Sequence, residues 1–300
     1  MTKRLLASGL SGFVGTAVLR ELLRGGFDEI HAVSRRAGGP GTQGVHWHSA
    51  DLRDKVEAVR LVREIQPTHL FHAAWIATPT VYLTSPENRD WMQATIAMVR
   101  AFAEAGGRRL IGVGSSAEYA PSVAPCVEDR TPLTPSSLYG EAKAGSWQEI
   151  EAIAAASRLE AVWGRLFTPF GPGSSAERLL PVALAKLRAG EPVPLASGEP
   201  RFDFVYTGDA ARMLVGLLLG TATGAFNIGS GISRSPRAMI EALADGAGLR
   251  DRLRFTELPR RAWEPSYLVA DVGKIAALGL LSLTPLPEAM SQILAGRENY

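Results

Sequence analysis

Residues 5–22, LLASGLSGFVGTAVLREL, set Gly9, Gly12 and Gly15 at a spacing of three between a short apolar run and a helical pattern. Glycine loses more backbone entropy on folding than any other residue, so a glycine triplet at a strand-to-helix turn needs a physical reason. One reason is a phosphate-bearing ligand. A turn without side chains lets the backbone approach a pyrophosphate, and the start of the following helix offers free N–H groups and positive dipole charge. On that reading Ser11, Phe13 and Val14, which complete the turn and open the helix, share the ligand. The other reason is an ordinary tight turn, and this segment alone leaves both open.

The rest of the chain repeats the same alternation. KRLLASG, EIHAVSRR, GVHWHSADL, THLFHAA, RRLIGVGSS and LEAVWGRLF read as strands. GTAVLRELLRGG, VEAVRLVREI, DWMQATIAMVRAFAEAGG and YGEAKAGSWQEIEAIAAAS, set between them, read as helices. Strand and helix in alternation predict an α/β fold with a doubly wound parallel sheet. After about residue 170 the character changes to a Pro/Gly/Ser loop, TPFGPGSSAE, followed by less regular segments. The expected division is a first domain over 1–170, with returning segments near 203–230, and a smaller lobe over 171–300.

Composition narrows the function classes. The chain has 300 residues, is 46% hydrophobic and 21% charged, and carries a formal charge of +2, so nothing demands a nucleic-acid or membrane partner. The single cysteine, Cys126, excludes an internal disulfide framework and a cysteine-based zinc site. MTKRLLASGL has two cationic residues and a short apolar run, but the run meets glycine after a few residues; it reads as a buried strand, and the expected compartment is the cytoplasm. His46 with His48 and His69 with His72 lie at strand spacing without carboxylate or cysteine support in sequence, so no metal site is expected.

Ligands of an open parallel sheet sit at the carboxyl ends of its strands. The second strand ends Ser34-Arg35-Arg36. An acidic residue here suits a free ribose 2′-hydroxyl and arginine suits a 2′-phosphate, which favours NADP over NAD. A solvated basic loop end is the alternative. Asp51, followed by Leu52 after the third strand, can accept from an adenine amino group or cap the next helix. The fourth strand ends Ala73-Ala74-Trp75, the fifth at Ser115-Ser116, and Tyr139 and Lys143 stand one helical turn apart. A tyrosine is a poor acid–base group at neutral pH because its ordinary pKa is about 10. Bringing it to about 7 takes about 4 kcal/mol of differential stabilisation, which a lysine ammonium and a cationic nicotinamide ring together can supply. A serine hydroxyl then bonds the same substrate oxygen.

With these residues in order, the chain resembles the extended short-chain dehydrogenase/reductases that act on nucleotide sugars. Gly9, Gly12 and Gly15 match that family's glycine turn, HAAW its strand end, and Ser116, Tyr139 and Lys143 its catalytic set. RLFTPFGPG, FDFVYTGDAA, FNIGSG and VADVGKIAALG match later segments. The resemblance implies a Rossmann-type domain, a nicotinamide dinucleotide, a nucleotide-sugar substrate and a homodimer through the helices around Trp91 and Trp147. Ala117 stands where the family's dehydratases carry an aspartate, which argues against dehydration, and GSSAEYAP looks like the matching segment of 4-keto-6-deoxy nucleotide-sugar reductases. Among substrate residues the resemblance implies Ser115, Glu118, Thr168, Arg201 and Arg261. Thr168 replaces the family's usual asparagine, and Arg201 lies one place early. The expected activity is NADPH-dependent reduction of a keto group, at C4 of a 6-deoxy sugar. The alternative is an epimerase with tightly held NAD. A cofactor-sensing protein without catalysis is disfavoured because both Tyr139 and Lys143 are kept.

Overall fold

The computed structural model describes residues 2–35, 42–79, 81–197, 200–259 and 265–296. Its first half runs β1 (Arg4–Ser8), α1 (Phe13–Leu22), β2 (Glu29–Ser34), β3 (His46–Ser49), α2 (Lys55–Ile65), β4 (His69–His72), α3 (Glu87–Glu104), β5 (Arg109–Ser115), α4 (Leu138–Ala155) and β6 (Glu160–Leu166). The second half adds β7 (Thr168–Phe170), α5 (Leu179–Ala189), β8 (Val193–Ala196), β9 (Arg201–Tyr206), α6 (Thr207–Leu219) and β10 (Gly224–Ile228). It closes with β11 (Ser233–Arg234), α7 (Pro236–Gly246), β12 (Phe255–Leu258), β13 (Tyr267–Leu268), α8 (Gly273–Ala276) and α9 (Leu286–Leu294).

Seven strands form one parallel sheet in the order β10-β6-β5-β4-β1-β2-β3. Parallel strands covered on both faces read as continuous apolar runs. Leu5, Leu6 and Ala7 of β1 and Leu70 and Phe71 of β4 are accordingly buried. One face packs on α1 and α6 through Val18, Leu22, Leu214 and Leu217. The other packs on α2, α3 and α4 through Leu61, Phe102, Trp147 and Ile150. Each fully buried side chain of this kind contributes about 1.5–3 kcal/mol. The strand order reverses between β1 and β4, where a doubly wound sheet opens a crevice at its carboxyl edge.

Local signals set the helix ends. Asp54 caps α2 by accepting from Val56 N at 2.8 Å, and Gln66 ends it in the left-handed region at φ 49°. Ser235 caps α7, with Pro236 at its first position.

The later segments divide between two layers. β10 joins the edge of the main sheet beside β6, and α6 covers that sheet. The stretch 203–206 does not return there: β9 pairs with β7, β11 and β13 in a second sheet, and β8 pairs with β12. A separate core of Leu180, Leu187, Phe204, Tyr206, Ile240, Leu243 and Met290 knits α5, α7 and α9 to that second sheet. Among the described residues no helix is long and apolar enough to cross a membrane.

Candidate active site

The crevice begins at the glycine turn after β1. Gly9 has φ +78°, and a Cβ there would stand 2.7 Å from the backbone of Ala73 and Ala74. A Cβ on Gly15 would stand 1.9 Å from Gly9 O, so this glycine lets α1 press against the turn. Gly12 is different: its backbone is extended, its N–H donates to Gly9 O at 3.0 Å, and a Cβ would meet only that oxygen, at 3.2 Å. It is the N-cap of α1, which has no side-chain cap and no acidic residue in its first turn. The start of α1, Phe13 and Val14 with Ser11 beside them, therefore presents uncapped backbone donors and positive dipole charge. That donor set suits an anion such as a dinucleotide pyrophosphate.

The floor of the crevice is the end of β4. His72 is buried, its Nδ1 bonded to the Ser8 hydroxyl at 2.8 Å and its Nε2 to the Thr95 hydroxyl at 2.9 Å. Burial, then the charge of Lys143, holds its pKa down at about 3, so the ring is neutral. Ser8 also accepts from Ala74 N, which ties Ala73 and Ala74 to β1. At the far strands, Asp51 is gripped by Arg53, which also pairs with Glu87 at 2.9 Å. The hydrogen bond from Arg53 leads in holding the Asp51 carboxyl low, and Arg35 adds its charge from the end of β2. Asp51 does not cap α2, one of the two roles its sequence position allows; Asp54 does. Leu52 is buried, Ser34 is half-buried and Arg35 exposed. Arg36 lies outside the described residues.

A further wall is made by β5 and α4. Ser137 caps α4, whose first turns carry Tyr139 and Lys143. Tyr139 keeps partial exposure, and the Tyr82 ring stands edge-on to it at 5.0 Å. Burial drives the phenol pKa up, and a hydrogen bond with Ser115 is the leading opposing influence; Tyr82, Glu118 and Arg178 act more weakly. Lys143 is buried, donates to Val113 O at 2.7 Å, and lies 3.7 Å from the centre of the Trp75 ring. Burial pulls its pKa down to about 7, against the charge of Glu118. The lysine thus turns towards Val113 and Trp75, and the lowered tyrosine pKa expected from the sequence is not found in this geometry.

Two of the expected site residues, Ser116 and Glu118, lie in buried surroundings. Ser115, not Ser116, is the serine that acts on the Tyr139 phenol; Ser116 is buried in the short 3-10 turn that follows β5. Glu118 does not face the crevice. Its carboxylate is fully buried and accepts from Ser115 N at 2.7 Å, Trp163 Nε1 at 2.9 Å and Arg165 Nε at 2.8 Å. Buried completely among three internal donors, it has no surface to offer a substrate. Thr168 opens β7 half-buried, and Arg201 opens β9 exposed, both in the second sheet. Arg261 lies outside the described residues. Sequence reasoning missed Tyr82, Asn88 and Arg178. Arg178 opens α5, and its charge reaches both Tyr82 and Tyr139; the only signal is a lone arginine after a Gly/Ser loop.

Comparison with known proteins places this geometry. A model of the NAD dependent epimerase/dehydratase family matches residues 5–229. The chain belongs to that family. UDP-glucose 4-epimerase of Streptomyces lividans is 26% identical over 300 residues, covering 91% of this chain and 89% of that protein. Among solved structures, the Thermus thermophilus UDP-glucose 4-epimerase in complex with NAD superposes with a TM-score of 0.87 at 24% identity, covering 99% of this chain and all of that one. MoeE5 in complex with UDP-glucose and NAD gives 0.83 at 26% identity, covering 98% of each chain.

Proposed function

We propose that this family member interconverts a hydroxyl and a keto group on a nucleotide sugar, and that its net reaction is epimerisation. The observation that carries the reading is the joining of Ser115, Tyr139 and Lys143 on one wall, next to an uncapped helix start built for a pyrophosphate. The relatives named above favour the epimerase among the reactions this wall can serve. Gly9, Gly12 and Gly15, the first turn of α1, Ala73 and Ala74 would hold the dinucleotide, and Lys143 its nicotinamide ribose. When bound, the nicotinamide ring supplies a hydride acceptor and donor.

The chain's own part is proton control. Tyr139 Oη gives or takes the proton of the reacting sugar oxygen, and Ser115 Oγ bonds that same oxygen and fixes its direction. Burial keeps the phenol protonated in the open crevice, so Tyr139 is set to donate to a carbonyl. Removal of a proton from a hydroxyl then needs positive charge brought close, which the Lys143 ammonium one turn away on α4 is positioned to provide. The charge of Arg178, felt by both Tyr82 and Tyr139, would favour an anionic part of the substrate.

One observation favours a second reading. β2 ends Ser34-Arg35 without an acidic residue, and Arg35 lies close enough to act on Asp51. That end suits a 2′-phosphate, and so an NADPH-dependent reductase of a keto sugar. Assays with UDP-glucose and UDP-galactose without added cofactor, and with a 4-keto-6-deoxy nucleotide sugar plus NADPH, separate the two. Interconversion without net cofactor use supports the epimerase, stoichiometric NADPH oxidation supports the reductase, and neither would sink both. In whichever assay is active, Tyr139→Phe is expected to lower kcat by about 10²–10⁴-fold while dinucleotide affinity stays within a few-fold.

A further inference from the structure

Trp75 occupies an unusual place for so large a side chain. It follows directly on the two alanines that the glycine turn packs against, and its indole covers the buried Lys143 ammonium, 3.7 Å from ring centre to Nζ. The indole is not free to turn. Its Nε1 donates to Asn88 Oδ1 at 2.8 Å, and its ring stacks on Trp91 with centroids 6.0 Å apart. Asn88 is itself fully buried and donates to Tyr82 O at 2.7 Å and Ser85 O at 2.9 Å, so both ends of its amide are used. One buried side chain thereby fixes Trp75 over Lys143 and anchors the loop that presents Tyr82 to Tyr139.

An ammonium in a dry site must be stabilised or it loses its proton. A carboxylate in contact would stabilise it and also take up its N–H donors. An aromatic face stabilises the charge without accepting along a defined direction. Among the described residues Lys143 makes one hydrogen bond, to Val113 O, and two of its three N–H donors are left for an incoming ligand.

We propose that Trp75 is a positioning residue for Lys143, its indole face favouring the charged lysine and fixing its Nζ beside Val113 O under the control of Asn88. The proposal rests on the reading that Lys143 serves the dinucleotide site. The other charged or titratable groups that bear on Lys143 are Glu118 behind it, which favours its charge, His72 beneath it, held neutral, and Tyr139 one turn away on α4.

The test reads Lys143 directly. The chain has five lysines, Lys3, Lys55, Lys143, Lys186 and Lys274, so ¹³Cε-lysine NMR of the full-length protein resolves them, with Lys143→Arg identifying the signal. Trp75→Leu keeps the site apolar but removes the π face, and is expected to lower the Lys143 pKa by about one unit, a tenfold change in its ammonium-to-amine ratio. Trp75→Phe keeps a face and should titrate close to wild type. Equal titration of wild type and Trp75→Leu, or equal shifts in both variants, would overturn the proposal, because space filling alone predicts no difference between Leu and Phe. If Trp75→Leu does not fold, fluorinated tryptophans replace it. The Lys143 pKa should then fall with each added fluorine, more steeply in wild type than in Trp75→Phe, where only the Trp163 ring at 5.8 Å remains near it, and equal slopes in the two would equally overturn the proposal. NADPH and NADH titrations on the same samples test the underlying reading separately. A Trp75-dependent Lys143 pKa in a protein that neither carries a dinucleotide as purified nor binds one when it is added would leave the positioning role standing and remove the proposed function.

Discussion

Ser115 and Ser116 differ by one position and meet opposite surroundings. Ser115 ends β5, where its hydroxyl accepts from Ala117 N at 3.1 Å and reaches Tyr139, while its own N–H is held by Glu118. Ser116 starts the 3-10 turn and points into the protein. Because the strand ends at Ser115 and the chain turns at Ser116, a one-residue error in reading a motif moves the hydroxyl from the strand end into the buried turn. Ser115→Ala is therefore expected to lower kcat by about 10²-fold, the scale of losing one oxyanion-type donor, whereas Ser116→Ala should change it less than tenfold. Steady-state kinetics on both variants decide the matter, and a larger loss in Ser116→Ala would return the role to that residue. Glu118 teaches the same lesson differently. A carboxylate next to catalytic serines reads in sequence as a substrate contact. Only the arrival of Trp163 and Arg165 from β6 shows that its partners are internal. Those partners lie about 45 residues away in the chain, beyond any local pattern.

At the scale of elements, the glycine turn separates packing from binding. Gly15 is required by contact, since a Cβ there would overlap Gly9 O at 1.9 Å. Gly12 is not: its backbone is one that alanine adopts readily, at φ −88° and ψ 175°. Gly15→Ala should thus cost about 1–3 kcal/mol of stability or more, as overpacking does. Gly12→Ala should leave stability within about 1 kcal/mol while weakening dinucleotide binding at least tenfold, because its methyl group stands where the phosphate approaches. Thermal unfolding and fluorescence titration on the pair test this, and a Gly12→Ala protein that binds as wild type would argue against the anion site. The alternating strands and helices of the first 170 residues are legible in sequence because each combines an apolar period with a clear turn. The second lobe is less so. PVPLASGEPRFDFVYT reads as one stretch, yet β8 and β9 within it belong to two different small sheets. Partners such as β12 for β8 and β13 for β9 lie far along the chain, where no local pattern points to them. Helix α9, with Pro287 in its first turn and buried Ala289 and Met290, lies outside the helices assigned from sequence despite its start signal.

For the molecule as a whole, the sheet's centre depends on a neutral histidine. His72 bridges β1, through Ser8, and α3, through Thr95, at the point where the strand order reverses. Its pKa in the fold is about 3, against an ordinary 6.5, first because burial penalises the charge and second because Lys143 is near. Between those values the unfolded chain takes up a proton that the folded protein refuses. Stability is then highest above about pH 6.5 and falls as the solution is acidified towards pH 3, by roughly 1.4 kcal/mol per pH unit from this group alone. Depressed carboxylates such as Glu29, brought down to about 2 by the hydrogen bond from Arg4, act in the same direction at lower pH, so the total slope is not diagnostic. The difference is. His72→Gln keeps a donor and an acceptor among Ser8 and Thr95 but cannot titrate. Denaturant unfolding from pH 7 to pH 4 should show wild type losing stability more steeply than the variant, by up to about 1.4 kcal/mol per unit below pH 6. The variant begins lower at pH 7, from imperfect packing, and the two curves converge on acidification. Parallel curves would mean that His72 takes its proton without loss in the fold, and that the sheet centre tolerates a charge beside Lys143.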